Sequence, residues 1–520
     1  MEKNLYNEFT KSTKYRDVYA ESGCDYVLPD YKQDVKKVLY TSATVIPSGK
    51  FFDSGELACS GIVTYNIVYL DSENRTEGID FTSDYEFSLK TKDEGYIDSS
   101  VDTRVANLSV RLTGPRKFSV KAALSSVASI VESASVSTEG DAFEEECSAE
   151  LDTKELLVRR TRFFSAEEKE LAERIAELDG VSTDDIRVIN SSADVDIESV
   201  NVSEGTVVVI GNVISDTVLQ NGATPPYLTR KRIPFEQTVS AEGVGEGDFA
   251  TATGVVTSVK TEINPEEFGC NVTTDVIMEI TLCVEDNVNI ELARDGYVIK
   301  CGVDNIYDDF RYTELKNVKN DRCDIEVRER RSELSLDSAR EIVFVSAQPK
   351  VEGVEYVNEG IRVDAEIRFS GVACDVCDDD TTSYIGLKHS AKVSHIVKCD
   401  LQNTDNLSCD VRLRACSAEA QIDKEDVVFS CELCIEASVC EDGCEKYLAS
   451  CNRRDDEKYE SCSSRITVYF PDKNDTLFGI AKKFHTTVRD IAVNNSLAES
   501  VAKSSSDSSA LIGVKKLIIK

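Results

Sequence analysis

No run of about twenty apolar residues, the length that a membrane-crossing helix needs, occurs anywhere in this sequence. The N-terminus, "MEKNLYNEFTKSTKYRDVY", lacks the apolar core of a secretory signal, which leads us to expect a cytoplasmic protein. Basic residues are in short supply, with 59 Lys and Arg against 95 Asp and Glu and a net charge of −36. Such a balance speaks against nucleic acid and anionic membrane surfaces as partners, because both attract basic patches. There is no GxxxxGK[ST] phosphate loop, no HExxH and no GxSxG. Histidine occurs only as His389, His395 and His485, with no third ligand in view for the first two. The acidic runs at 139–147 and 377–382 read as solvated loops, since catalytic carboxylates need an enclosing cleft to tune them. The expectation is a protein that is not an enzyme, with no cofactor, no catalytic residues and no metal.

Charge is also unevenly spread. Residues 465–520 hold nine Lys and Arg against five Asp and Glu, a net of +4. The rest of the chain has fifty against ninety, a net of −40. Cysteine, by contrast, is plentiful: eighteen, eleven of them between Cys374 and Cys462. In a chain without an export signal these are expected as free thiols. Two CxxC pairs, Cys374/Cys377 and Cys431/Cys434, raise the alternative of structural zinc. The second pair lies in "VVFSCELCIEASVC", which reads as a strand, and residues three apart on a strand face opposite ways.

The chain repeats itself. A shift of 150 residues superimposes Ala43 on Ala193, Gly55 on Gly205 and Gly61 on Gly211, and carries Gly114-Pro115 to Asn264-Pro265 and Phe118 to Phe268. A third copy follows, with Ala347 and Gly360 matching after one inserted residue. In "GIRVDAEIRF", Ile361, Val363, Ala365, Ile367 and Phe369 alternate with charged residues, the period of a sheet with one buried face. Each copy opens on a polar, helix-like segment (30–39, 181–189, 335–343), and the most helical stretch of the body is "SAEEKELAERIAEL" at 165–178. The expected fold is mainly β: three repeated antiparallel β-sandwich-like domains at 15–147, 148–305 and 306–455, then a small βααβ domain at 465–520.

That last domain is read from "DTLFGIAKKFHTTVRDIAVNN". Leu477, Ile480, Ala481 and Phe484 form one helical face, Asp475 can cap it, and Thr487 with Asp490 marks a second helix. Strand-rich "RITVYF" and "KKLIIK" flank the pair. The segment resembles the LysM module, a wall-sugar-binding domain. Asp475, Thr476, Leu477, Ile480, Ala481, Thr487, Val488 and Asn495 stand where that family expects them. The resemblance implies a groove between the loop before the first helix and the loop after the second. It is formed here by Asp475, Thr476, Leu477, Phe478, Asn495, Ile512 and Gly513, with Phe478 as its apolar anchor. Phe478 replaces the usual Trp, "LIGVKK" replaces the usual Pro-Gly-Gln turn, and the Ser-rich stretch 502–510 lengthens one groove wall.

The motif "VLPDYKQDVKKVL" and the glycine-punctuated strands after it resemble the SPOCS domain. Repeated SPOCS domains followed by LysM is the order found in SipL-like spore-coat morphogenesis proteins. That resemblance implies a scaffold at the forespore surface in the mother cell, with LysM docking the coat's morphogenetic ATPase or another coat protein. The alternative is an exported, wall-associated protein that binds peptidoglycan-type or chitin-like glycan.

Overall fold

The computed structural model describes residues 5–91, 95–143, 149–222, 224–376, 382–400, 406–459, 466–498 and 506–520. It is mainly β, with two short helices near the C-terminus. The first unit comprises β1 (Leu5–Val27), β2 (Val35–Asp53), β3 (Glu56–Asp71), β4 (Thr76–Lys90), β5 (Tyr96–Gly114) and β6 (Lys117–Thr138). Its sheets run β1-β6-β5 and β2-β3-β4, all antiparallel. They pack face to face through Val63, Tyr65 and Tyr69 on one side and Phe118, Val120 and Leu124 on the other.

The second unit repeats this plan with β7 (Ala149–Ser165), β8 (Lys169–Asp179), β9 (Ile186–Ser203), β10 (Thr206–Asn221), β11 (Tyr227–Ser240), β12 (Phe249–Glu266) and β13 (Gly269–Val298). Here β7 and β8 together occupy the place of β1, each pairing with one half of β13. The third unit uses β14 (Cys301–Arg330), β15 (Ala339–Val357), β16 (Gly360–Val376), β17 (Thr382–Lys398), β18 (Leu407–Asp423) and β19 (Asp426–Lys458), in sheets β14-β19-β18 and β15-β16-β17. Strand pairing thus carries the first unit back to Leu5 and the third to Cys301. Ile361, Val363, Ala365, Ile367 and Phe369 are all buried, as their alternation requires.

Where helices were expected in the body, the structure has turns and strands. Most of the segment 165–178, from Lys169 on, forms β8, whose Ile175 is buried against Cys270 and Val272 of β13. Its Ala, Glu and Leu favour a helix locally, but β13 would otherwise keep an unpaired edge, and pairing wins. The three opening segments are tight turns leading into β2, β9 and β15. Their helix-like spacing comes from β-bulges, which fall between Val38 and Tyr40, between Val188 and Asn190, and between Ile342 and Phe344. The β12–β13 turn falls at Glu267-Phe268 rather than Asn264-Pro265, so Phe268 is exposed while Phe118 is core.

The bulged residues Leu39, Ile189 and Val343 are equivalent in the three units, and all three point into one shared apolar hub. Val68, Val218 and Val372, also equivalent, line the same hub with Tyr40, Phe344 and Tyr384. Around it the units close into a ring, with β4 against β9, β11 against β15 and β17 against β2. Two of these contacts bring backbone onto glycine. A Cβ at Gly78 would lie 1.6 Å from the Ile189 carbonyl oxygen, and one at Gly386 would lie 2.3 Å from that of Leu39. Arg187 of the second unit pairs with Glu77 of the first at 2.7 Å.

Away from the hub, the first and last strands of each unit run on as two-stranded arms beyond the end of β5, β12 or β18. The arms pack together through Phe9 and Val136, Leu156 and Ile290, and Phe310 and Tyr447. Only residues 299 and 300 separate the arm strands β13 and β14.

Gly78→Val should therefore destabilise the whole body by about 3 kcal/mol, the upper end of ordinary overpacking. Chemical denaturation checks this. A loss confined to the first unit, or no loss at all, would contradict a closed ring.

Candidate functional site

The C-terminal module pairs β20 (Thr467–Tyr469) with β21 (Leu517–Ile519) and packs α1 (Leu477–Lys483) and α2 (Val488–Asn494) on one face of the pair. Leu477, Ile480, Ala481, Val488, Ile491, Leu511, Leu517 and Ile519 make the core. The helix starts are fixed by threonines. Thr476 Oγ1 accepts from the Gly479 amide at 3.0 Å, and Thr487 Oγ1 accepts from the Asp490 amide at 2.9 Å. Asp475 is not the cap. Its carboxylate accepts from the Asp472 amide at 2.9 Å and the Tyr469 hydroxyl at 2.7 Å, bracing the turn before α1. Those two bonds, the amide first, hold the Asp475 carboxyl below its usual pKa.

Asn495 ends α2 and ties it to the sheet. Its Nδ2 donates to the Ile491 and Ile518 carbonyls, each at 2.8 Å, and its Oδ1 accepts from the Ile518 amide at 2.6 Å. Phe478 departs most from expectation. It is 4% exposed and packs edge-on against Tyr297, at the end of the second unit's arm, with ring centroids 5.2 Å apart. It does not project from the helix start, because the body covers it. Leu477 is likewise buried.

Several polar contacts hold the module in this pose. The Tyr297 hydroxyl donates to the Thr486 carbonyl at 2.7 Å, and Lys482 pairs with Asp295 at 2.5 Å. The Ser506 hydroxyl, in the segment between α2 and β21, donates to Asp152. His485 stacks on Tyr459, centroids 3.7 Å apart.

Of the other five anticipated groove residues, Asp475, Thr476 and Asn495 are half-buried and Ile512 and Gly513 are exposed. Ile512 is 82% exposed, and Gly513 beside it has φ +90 with open space where a Cβ would stand. Sequence reasoning missed a second open surface. Val468 of β20 and the residues that flank the strand, Ile466 and Phe470, alternate and are all more than half exposed, on the side of the sheet away from the helices. The apolar alternation was visible in "RITVYF", but not that one set of its side chains lacks a cover. Tyr297 as a docking residue carried no sequence signal.

Elsewhere, cysteines 416 and 434 form a disulfide, contrary to the expectation of free thiols alone. Neighbouring strands β18 and β19 bring them together across a bulge at Cys416, which spacing along the chain does not reveal. Other cysteines, Cys59, Cys409 and Cys440 among them, are free thiols. Cys431, on the opposite face of β19 from Cys434, lies in the third unit's core. Cys377 lies outside the described residues, so the first CxxC pair cannot be placed. Among the described residues, the grouping with metal-ligand spacing is Asp196 with Cys416 and Cys434. Its sulfurs are bonded to each other, and its carboxylate is taken by Arg322 at 2.8 Å and faced by Arg232 at 3.8 Å. His395 pairs with Asp321 at 2.9 Å, and His389 stacks on Phe429.

Comparison with known families finds a LysM domain at residues 472–501, a match that points to a role in binding peptidoglycan-type carbohydrate. No curated protein and no solved structure matches the chain. No helix among the described residues is long and apolar enough to cross a membrane.

The burial of Phe478 reverses its anticipated role. Phe478→Ala should destabilise the docked module by about 3 kcal/mol, as for a large-to-small change in a core. Ile512→Ala should stay within about 0.5 kcal/mol of the unchanged protein. Thermal unfolding followed by circular dichroism at a helix-sensitive wavelength separates the two, and equal effects would mean the interface with Tyr297 is not formed.

Proposed function

We propose that this chain is a non-catalytic scaffold that presents its LysM module to a protein partner, in the manner of SipL-like spore-coat morphogenesis proteins. In this reading it works in the cytosol of the mother cell, at the forespore surface. The partner is a coat morphogenetic protein, the ATPase of that family or another coat component. The three repeated units ahead of a LysM domain match the domain order of those proteins. The observation that carries the proposal is the module's pose. Its α1 side is turned onto the body, so the outer face of β20, with Ile466, Val468 and Phe470, and the loop at Ile512 face outward. An exposed apolar strip beside the exposed Lys515, Lys516 and Lys520 suits an acidic, partly apolar protein surface.

The LysM match itself favours a second reading, in which the module binds peptidoglycan- or chitin-like glycan. The two separate experimentally. Under the first, a fluorescent fusion gathers at the forespore during sporulation, and purified chain shows little affinity for muropeptides or chito-oligosaccharide. Under the first reading, too, Phe470→Asp or Ile512→Asp leaves the chain folded and weakens partner recovery by about 2 kcal/mol, the size of an interface hot spot. Tight, saturable glycan binding that survives both substitutions would replace the scaffold reading with the second one.

A further inference from the structure

The ring is not equally tight at its three junctions. Between the second and third units the charged groups are matched: Arg414 donates to the Val195 carbonyl at 3.0 Å, Arg322 to Asp196 at 2.8 Å and Arg230 to the Ala418 carbonyl at 3.3 Å. Between the third and first units there is instead a cleft of about 630 Å³. Three edge strands converge on it: β5 of the first unit, and β15 and β18 of the third. Edge strands carry backbone groups that no neighbouring strand satisfies.

The charge of this cleft is opposite to that of the chain. Arg16, Arg104, Lys350, Arg368 and Arg412 line it, against two carboxylates, Asp102 and Asp410. Both carboxylates are occupied. Asp410 binds Arg16 at 2.9 Å and also Lys14, and Asp102 binds Arg104 at 2.9 Å. Two arginines reach across the junction and take edge-strand acceptors. Arg104 donates to the Leu413 carbonyl at 3.0 Å, and Arg368 to the Ala106 carbonyl at 3.2 Å. With those acceptors used, the cleft is left richer in donors than in acceptors.

Arg412 is the exception among these cations. It is half-buried on β18, yet among the described residues it makes no hydrogen bond and has no carboxylate within the 4.0 Å of an ion pair. Asp410, Asp102 and Glu436 act on it only from beyond that distance, so its donors stay free, and its planar fork fits a carboxylate or phosphate with two parallel hydrogen bonds. The volume is that of a site for a small organic molecule, larger than one oxyanion fills. Cations stand on both walls, Arg412 on β18 and, on the neighbouring sheet, Lys350 and Arg368, which also pair with Glu352 at 2.7 Å and Glu366 at 2.9 Å.

We propose that this cleft is a binding site for a small polyanion bearing at least two carboxylate or phosphate groups, with one group held by the Arg412 guanidinium. The ligand bridges the third and first units, so its binding tightens the junction that closes the ring. This site is independent of the LysM module and of whatever the module binds.

Calorimetric titration of the full chain at physiological salt tests the site, with pyrophosphate and citrate as the two probes. Saturable binding of one probe or both is expected, and the stronger one tells phosphate from carboxylate chemistry. Arg412→Gln should weaken it by at least about ten-fold, the loss of one hydrogen-bonded charge contact. Arg412→Lys, which keeps the charge but not the fork, should fall in between and serves as the test variant if Arg412→Gln does not fold. The proposal is overturned if neither probe binds saturably, or if a folded Arg412 variant binds as tightly as the unchanged chain.

Discussion

Three β-bulges, one in each unit, hold the body of this protein together. A bulge puts two residues opposite one on the partner strand and turns one side chain out of the regular alternation. Here the side chains so turned are Leu39, Ile189 and Val343, and they meet in one apolar hub with Val68, Val218 and Val372. No unit could bury these residues alone, because each already has its own core between its two sheets. Burial of the hub therefore makes closure of the ring a condition of stability for every unit. The close backbone approaches at Gly78 and Gly386 follow from it, since three sheets can share so small a centre only where side chains are absent.

Ring closure sets the position of everything else. It gathers the three arms on the far side, where Phe9 of the first unit meets Phe310 of the third in an edge-to-face pair. The end of the second arm offers Tyr297, and the C-terminal module settles there through Phe478, Thr486 and Lys482. A module of about fifty residues has little core of its own, and borrowing an aromatic from the body enlarges it. Its orientation follows from that contact, and the orientation decides which of its surfaces meet solvent.

The polar groups follow the same geometry. At the junction of the second and third units, arginines from one unit find a carboxylate and carbonyls of the other. At the junction of the third and first units the same kind of residue lines a cleft, where the donors of Arg412 stay free. The three units share a fold but not an interface, so equivalent positions in the ring can do different work.

Much of this was legible in the sequence, and the limits have a physical pattern. Alternation along "GIRVDAEIRF" determined a one-sided sheet, because the side-chain period of a strand is local. The helical face of Leu477, Ile480 and Ala481 likewise determined the small C-terminal module, and the 150-residue register determined three similar units. What failed were readings that depend on contacts between distant segments. The spacing in 30–39 and 181–189 imitates a helix because bulges insert residues, and the hub that makes those bulges worthwhile exists only in the assembled ring. The stretch 165–178 has helix-favouring residues, yet an unpaired edge of β13 claims it as a strand. Asp475 and Asn495 stood where the family pattern placed them, but the structure shows them bracing the backbone. Phe478 belonged to the groove on local grounds until Tyr297, 181 positions earlier in the chain, covered it. Periodicity reports what a segment must bury. Which partner buries it, and which surface is then left open, is settled by tertiary structure alone.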